Sequence, residues 1–135
     1  MTTVVLDTNV LVAAGFNRDS ASADILRLAR QGELRIVWDQ ATLDETRQVI
    51  GRIPPLQWQQ FQDLFKGEHQ FTGGCHPEAL SVIADPQDRK FAALAQAADA
   101  LLISSDDHLL GVRDQLPVTV LTPRQFIDRF PPPQS

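Results

Sequence analysis

Apolar residues fall along this chain in short unbroken runs, separated by longer stretches at helical spacing. Thr3 to Leu6 is the first such run, and a run without polar interruption predicts a parallel strand covered on both faces. Asp7-Thr8-Asn9 then opens a helical turn through Val10, Leu11 and Val12. From Ser20, the apolar positions Ala23, Ile25, Leu26, Leu28 and Ala29 share one helical face, and Gly32 is placed to stop that helix. Leu34 to Trp38 reads as the second strand and Thr42 to Ile50 as the next helix, ended by Gly51 and Pro54-Pro55. Leu56, Trp58, Phe61, Leu64 and Phe65 recur at helical spacing. They predict a further amphipathic helix whose aromatics are core rather than a platform for stacking bases.

Residues 67–78 read as loop, and Leu80 to Ile83 as extended. From Pro86 an Ala-rich helix buries Phe91, Leu94, Ala95 and Ala98, whose small members allow close packing on a sheet. Ala100 to Ser104 and Val118 to Leu121 supply two more buried strands, Pro123 to Phe130 a closing helix, and 131–135 a disordered Pro-rich tail. Strands alternating with helices predict an α/β fold: a central parallel sheet flanked by helices, in one domain spanning 1–130.

Composition agrees with that picture and narrows the chemistry. A chain of 135 residues, 43% hydrophobic, is large enough to bury a core of its own. It has no apolar run of about 18 residues and no basic start with a cleavage site, so a soluble, cytoplasmic protein without membrane contact is expected. The lone Cys75 excludes an intramolecular disulfide and a cysteine zinc cage, and its bland reading is a small residue in a Gly-Gly-Cys-His-Pro loop. A net charge of −5 argues against a broad basic surface for nucleic acid. The ten Arg against two Lys nevertheless suit contact with a few phosphates, because Arg pairs with phosphate bidentately.

Four acids stand where an apolar run gives way to a helix: Asp7, Glu45, Asp88 and Asp106. In an open α/β sheet such junctions line one crevice at the carboxyl ends of the strands. Each has a structural alternative. Thr42-Leu43-Asp44-Glu45 fits a capping box, in which Glu45 would bond back to the cap amide. In Asp85-Pro86-Gln87-Asp88, Asp85 reads as the cap and Asp88 as a dipole-complementing acid. Asp106 and Asp107 fit the first turn of a helix, whereas Asp7 has no obvious capping role. Taken together they mean more. Two carboxylates about 4 Å apart repel by roughly 4 kcal/mol at an effective dielectric near 20, so a cluster of four requires a cation or protonation. Acids with no His or Cys among them suit a hard ion such as Mg²⁺ or Mn²⁺, which activates water and polarises a phosphate.

Asp7-Thr8-Asn9-Val10-Leu11, Leu43-Asp44-Glu45, Asp85-Pro86-Gln87-Asp88-Arg89-Lys90-Phe91 with Ala95, and Ile103-Ser104-Ser105-Asp106-Asp107-His108-Leu109-Leu110 resemble, in series and spacing, the PIN-domain ribonuclease family. The similarity is greatest to the toxins of prokaryotic toxin–antitoxin pairs. It implies a PIN-like three-layer sandwich with strand order 3-2-1-4-5 and a Mg²⁺- or Mn²⁺-dependent endoribonuclease acting on RNA. It also implies an antitoxin partner and frequent homodimers. The resemblance carries the catalytic and metal-binding roles onto Asp7, Glu45, Asp88 and Asp106, with Thr8, Asn9, Asp85, Ser104, Ser105 and Asp107 in support. Two positions depart: Ser105 stands where Gly is common, and His108 where a further Asp is common, which bears on a second metal.

Other classes fit less well. A haloacid-dehalogenase-like phosphatase needs an Asp where Asn9 stands and a Lys before the late acids, and a receiver domain needs a late Lys, but no Lys follows position 90. A non-catalytic PIN-like module that binds protein or RNA is the alternative that the Ser105 and His108 departures keep open.

Overall fold

The computed structural model describes residues 1–130, so the tail expected over 131–135 lies outside the described residues. Strand β1 (Thr2–Leu6) runs directly into helix α1 (Thr8–Phe16), followed by α2 (Ala21–Arg30), β2 (Leu34–Ile36) and α3 (Gln40–Ile50). The second half comprises α4 (Pro86–Ala97), β3 (Leu101–Ile103), α5 (Asp107–Leu110), β4 (Val120–Leu121) and α6 (Pro123–Arg129). The helix starts are fixed by side chains that accept from otherwise unpaired first-turn amides. Ser20 accepts from Ala23, Asp85 from Gln87 and Thr122 from Gln125. After α2 the chain reverses at Gly32, whose φ of +78° is open to glycine without strain.

The sheet is parallel throughout, in the order β2-β1-β3-β4. Four strands are present among the described residues, so the expected order 3-2-1-4-5 is corrected by the loss of its third strand. Beyond β2 there is only a parallel bridge between Trp38 and Gln70, in which the Phe71 amide donates to the Trp38 carbonyl at 2.7 Å. Leu80 to Ile83, expected extended, is a turn. The Ile83 amide bonds back to the Leu80 carbonyl at 3.0 Å, and this folds the two apolar side chains into the core together.

Leu56 to Phe65 likewise forms no α-helix. Trp58–Gln60 and Gln62–Leu64 are successive 3₁₀ turns. The three-residue interval Trp58, Phe61, Leu64 suits a period of three, which aligns those side chains on one edge. The aromatics are core, as expected: Phe61 and Leu64 are buried, with Trp58 and Phe65 packed against them.

Both faces of the sheet are covered, and the strands alternate between two cores as a two-residue period requires. Val4, Leu6, Leu34, Ile36, Ile103 and Leu121 face one layer with residues from α1, α2 and α6. Val5, Leu102 and Val120 face the other, where Phe91 to Ala95 of α4 pack closely. Each such buried aliphatic side chain contributes about 1.5–3 kcal/mol relative to exposure. The strands are thereby clamped at both faces, and their carboxyl ends hold a fixed spacing.

Candidate metal centre

At those carboxyl ends the chain turns from β1 to β2 on one side and reaches β3 on the other, so the crevice beside β1 is the sheet's switch point. Asp7 follows β1 immediately. Its amide donates to the Ile103 carbonyl at 3.0 Å, which extends the β1–β3 pairing by one residue and places its side chain at the rim. Ser104, fully buried, follows β3 and links two acids. Its hydroxyl donates to Asp7 Oδ2 at 2.7 Å and accepts from the Asp106 amide at 3.0 Å. Asp106 caps α5 by accepting from the His108 amide at 2.7 Å.

Asp88 enters from α4, in the third helical position after Asp85. It is 9% exposed, and its Oδ2 is buried without a hydrogen-bond partner. Burial pushes its carboxyl up to about 7, with the charges of Asp106, Asp7 and Asp85 adding to the rise and His108 opposing it. Asp7 is also raised, first by burial and then by Asp106, against the pull of the Ser104 hydroxyl. The charge of Asp106 thus raises both Asp7 and Asp88, and that of Asp7 raises Asp88 further. A lone pair with no donor within a buried acidic cluster is the arrangement that a bound cation satisfies, so these residues fit a hard divalent ion.

Glu45 stands differently. Its Oε2 lies 3.5 Å from Lys90 Nζ, so the metal-free charge is offset from α4 itself. The capping-box reading of Thr42 and Glu45 is overturned. Helix α3 begins two residues before Thr42; Asp39 accepts from the Thr42 amide at 2.9 Å and the Thr42 hydroxyl accepts from the Asp39 amide at 3.1 Å. Glu45 is left with no capping duty. Asp85 is a cap as read, whereas Asp88 leaves one oxygen unused.

The supporting residues divide. Thr8 bonds the Thr46 hydroxyl at 2.9 Å within the core, fastening α3 to the β1–α1 junction. Asn9 Oδ1 is, with Asp88 Oδ2, a buried side-chain oxygen without a partner among the described residues. Ser105 and Asp107 are solvent-facing. Burial, followed by the charge of Asp39, holds the Cys75 thiol up at about 11, which disfavours the reactive thiolate.

One residue that the sequence marks only as a departure from the family pattern, His108, joins the site. Ligand atoms of Asp88, Asp106 and His108 lie within 4.8 Å of one another, the group of this kind found among the described residues. The signal was the Asp-Asp-His run itself, at the carboxyl end of a strand. Lys90 was also missed as a partner of Glu45, because 45 residues separate them and no local pattern joins them.

The sequence profile of the PIN domain family matches residues 3–108, a stretch that contains every acid of the cluster and ends at His108. Comparison with curated protein sequences gives no match. Among solved structures, VapBC2 from Rickettsia felis, bound to a DNA fragment from its promoter, is similar with a TM-score of 0.64 at 18% identity, over 90% of this chain and 98% of that one. PAE2754 from Pyrobaculum aerophilum has a TM-score of 0.59 at 17% identity, over 95% and 88% respectively. FitAcB from Neisseria gonorrhoeae has a TM-score of 0.57 at 15% identity, over 90% and 98%. At these identities the likeness concerns the fold.

Proposed function

The chain belongs to the PIN domain family, and from that premise we propose that it is a Mg²⁺- or Mn²⁺-dependent endoribonuclease, the toxin of a toxin–antitoxin pair. The observation that carries the proposal is the buried, unpartnered oxygen of Asp88 among Asp7, Asp106 and Asp85. Asp7, Asp88 and Asp106 hold the ion. Glu45 stands outside the group of ligand atoms within 4.8 Å of one another and would join as the fourth acid by exchanging its partly exposed contact to Lys90 at 3.5 Å, worth about 1 kcal/mol or less, for the cation. A divalent ion held there supplies Lewis-acid activation of water and neutralises charge at the phosphate. The protein residues do the positioning: Ser104 orients Asp7, the His108 amide orients Asp106, and the Thr8–Thr46 bond holds α3 against the crevice.

The likeness to VapBC2, solved bound to a DNA fragment from its promoter, supports an antitoxin partner. The same reading includes a one-domain cytoplasmic protein able to form homodimers. No helix among the described residues is long and apolar enough to cross a membrane.

The crevice lies at a sheet rim in a protein of net charge −5, so a strand must bend into it with little help from a basic groove. Single strands and loops bend more easily than an A-form duplex. Purified protein with Mn²⁺ is therefore expected to cut a single-stranded RNA at least about tenfold faster than the matched duplex. The measurement is initial rate on both substrates with an EDTA control. Equal rates on the two would refute the substrate preference, and cutting undiminished by EDTA would refute metal dependence.

A further inference from the structure

We infer that His108 is a nitrogen ligand of the same centre and biases it toward Mn²⁺ over Mg²⁺. The inference deepens the metal-centre reading and rests on it. Three observations carry it. The ligand atoms of Asp88, Asp106 and His108 already lie within 4.8 Å of one another. Ligand atoms bonded at about 2.1 Å to one ion stand at most about 4.2 Å apart, so side-chain rotations of about an ångström would bring the group to bonding distance.

The second observation is freedom. The His108 side chain is 69% exposed, its Nδ1 lies 3.7 Å from Asp106 Oδ1, and it makes no side-chain hydrogen bond among the described residues. Nothing holds the ring away from an ion. Its backbone amide, by contrast, is fixed to Asp106 Oδ1 at 2.7 Å, so ligand and carboxylate are anchored to one another at the start of α5. The third is Asp88, 9% exposed with Oδ2 unpartnered, a lone pair that a cation would satisfy.

The chemistry follows from ligand type. An all-oxygen site suits Mg²⁺, which accepts imidazole poorly, whereas Mn²⁺ and the later divalent ions accept nitrogen increasingly well. Replacing imidazole by carboxylate restores the all-oxygen set and adds a charge.

The test uses the purified full chain and the metals alone. Mn²⁺ and Mg²⁺ affinities are measured by calorimetry on native protein, His108→Asp and His108→Gln, and the Mn²⁺-loaded proteins are examined by electron spin echo envelope modulation. Native protein is expected to show nitrogen-14 modulation that both variants lack, and His108→Asp to lower the Mn²⁺/Mg²⁺ affinity ratio by about tenfold. An exposed position makes either variant compatible with folding, and two variants guard against a fault in one. Mn²⁺ bound without nitrogen modulation, or with modulation unchanged in both variants, would overturn the role of His108 and leave the carboxylate centre standing. Failure of Mn²⁺ and Mg²⁺ to bind any of the three would overturn both.

Discussion

Asp88→Asn is expected to lower metal-dependent RNA cleavage by at least about 100-fold while making the metal-free protein more stable at neutral pH. The two effects have one source. In the folded chain the Asp88 carboxyl is pushed up from 3.8 to about 7, chiefly by burial and then by its acidic neighbours, so the native state holds its proton more tightly than the unfolded chain. Stability from that group is therefore fully present below about pH 4 and is lost as pH rises through about 7. The metal-free midpoint should fall across this window in the native protein and stay flatter in Asp88→Asn. Near pH 8 the variant should unfold roughly 5 °C or more above native protein. Added Mn²⁺ should reverse the ranking, since a cation that binds only the native cluster stabilises the protein that can hold it. Thermal unfolding at several pH values, with and without metal, measures both parts. A variant less stable than native protein in EDTA at pH 8 would mean that Asp88 is a structural acid.

Ser104→Ala should damage both stability and activity. The hydroxyl is fully buried, donates to Asp7 and accepts from the Asp106 amide, so its removal strands two polar groups at once. The expected loss is about 1–3 kcal/mol, or roughly 5 °C in midpoint, with cleavage lowered about 10–100-fold because Asp7 is no longer oriented. Ser105→Ala is the control, being exposed beside it. The sign of the stability change in EDTA near pH 8 separates the two roles: up for a carboxylate that repels its neighbours, down for the hydroxyl that joins them. Activity equal to native in Ser104→Ala would show that the link between β3 and Asp7 does not position the acid.

The parts of this fold visible in the sequence are those written in local pattern. Val4-Val5-Leu6-Asp7-Thr8-Asn9 announces a buried strand, an acid at its end and a helix start, because each residue's neighbours along the chain are also its neighbours in space. Asp85-Pro86 and Thr122-Pro123 mark helix starts for the same reason.

Competing local patterns were harder to rank. Thr42 and Glu45 have the capping-box spacing, but Asp39 and Thr42 satisfy it three residues earlier and the helix begins there. Leu80 to Ile83 is too short an apolar run to distinguish a strand from a turn, and the bond from Ile83 to Leu80 decides it. Contacts between distant residues left no local trace. Lys90 meets Glu45 across the α3–α4 packing, and His108 reaches Asp88 only because the switch point brings β3 and α4 together.

The central claim is that these acids cut RNA through a divalent ion and water, and the chemistry of the cut ends tests it most directly. Native protein and Asp88→Asn, purified side by side, would be given end-labelled single-stranded RNA with Mn²⁺ or with EDTA. Attack by water predicts 5′-phosphate and 3′-hydroxyl ends from native protein with Mn²⁺, with no products in EDTA and none above background from Asp88→Asn. Cyclic 2′,3′-phosphate ends, cutting that survives EDTA, equal cutting by Asp88→Asn, or no cutting by native protein would contradict it.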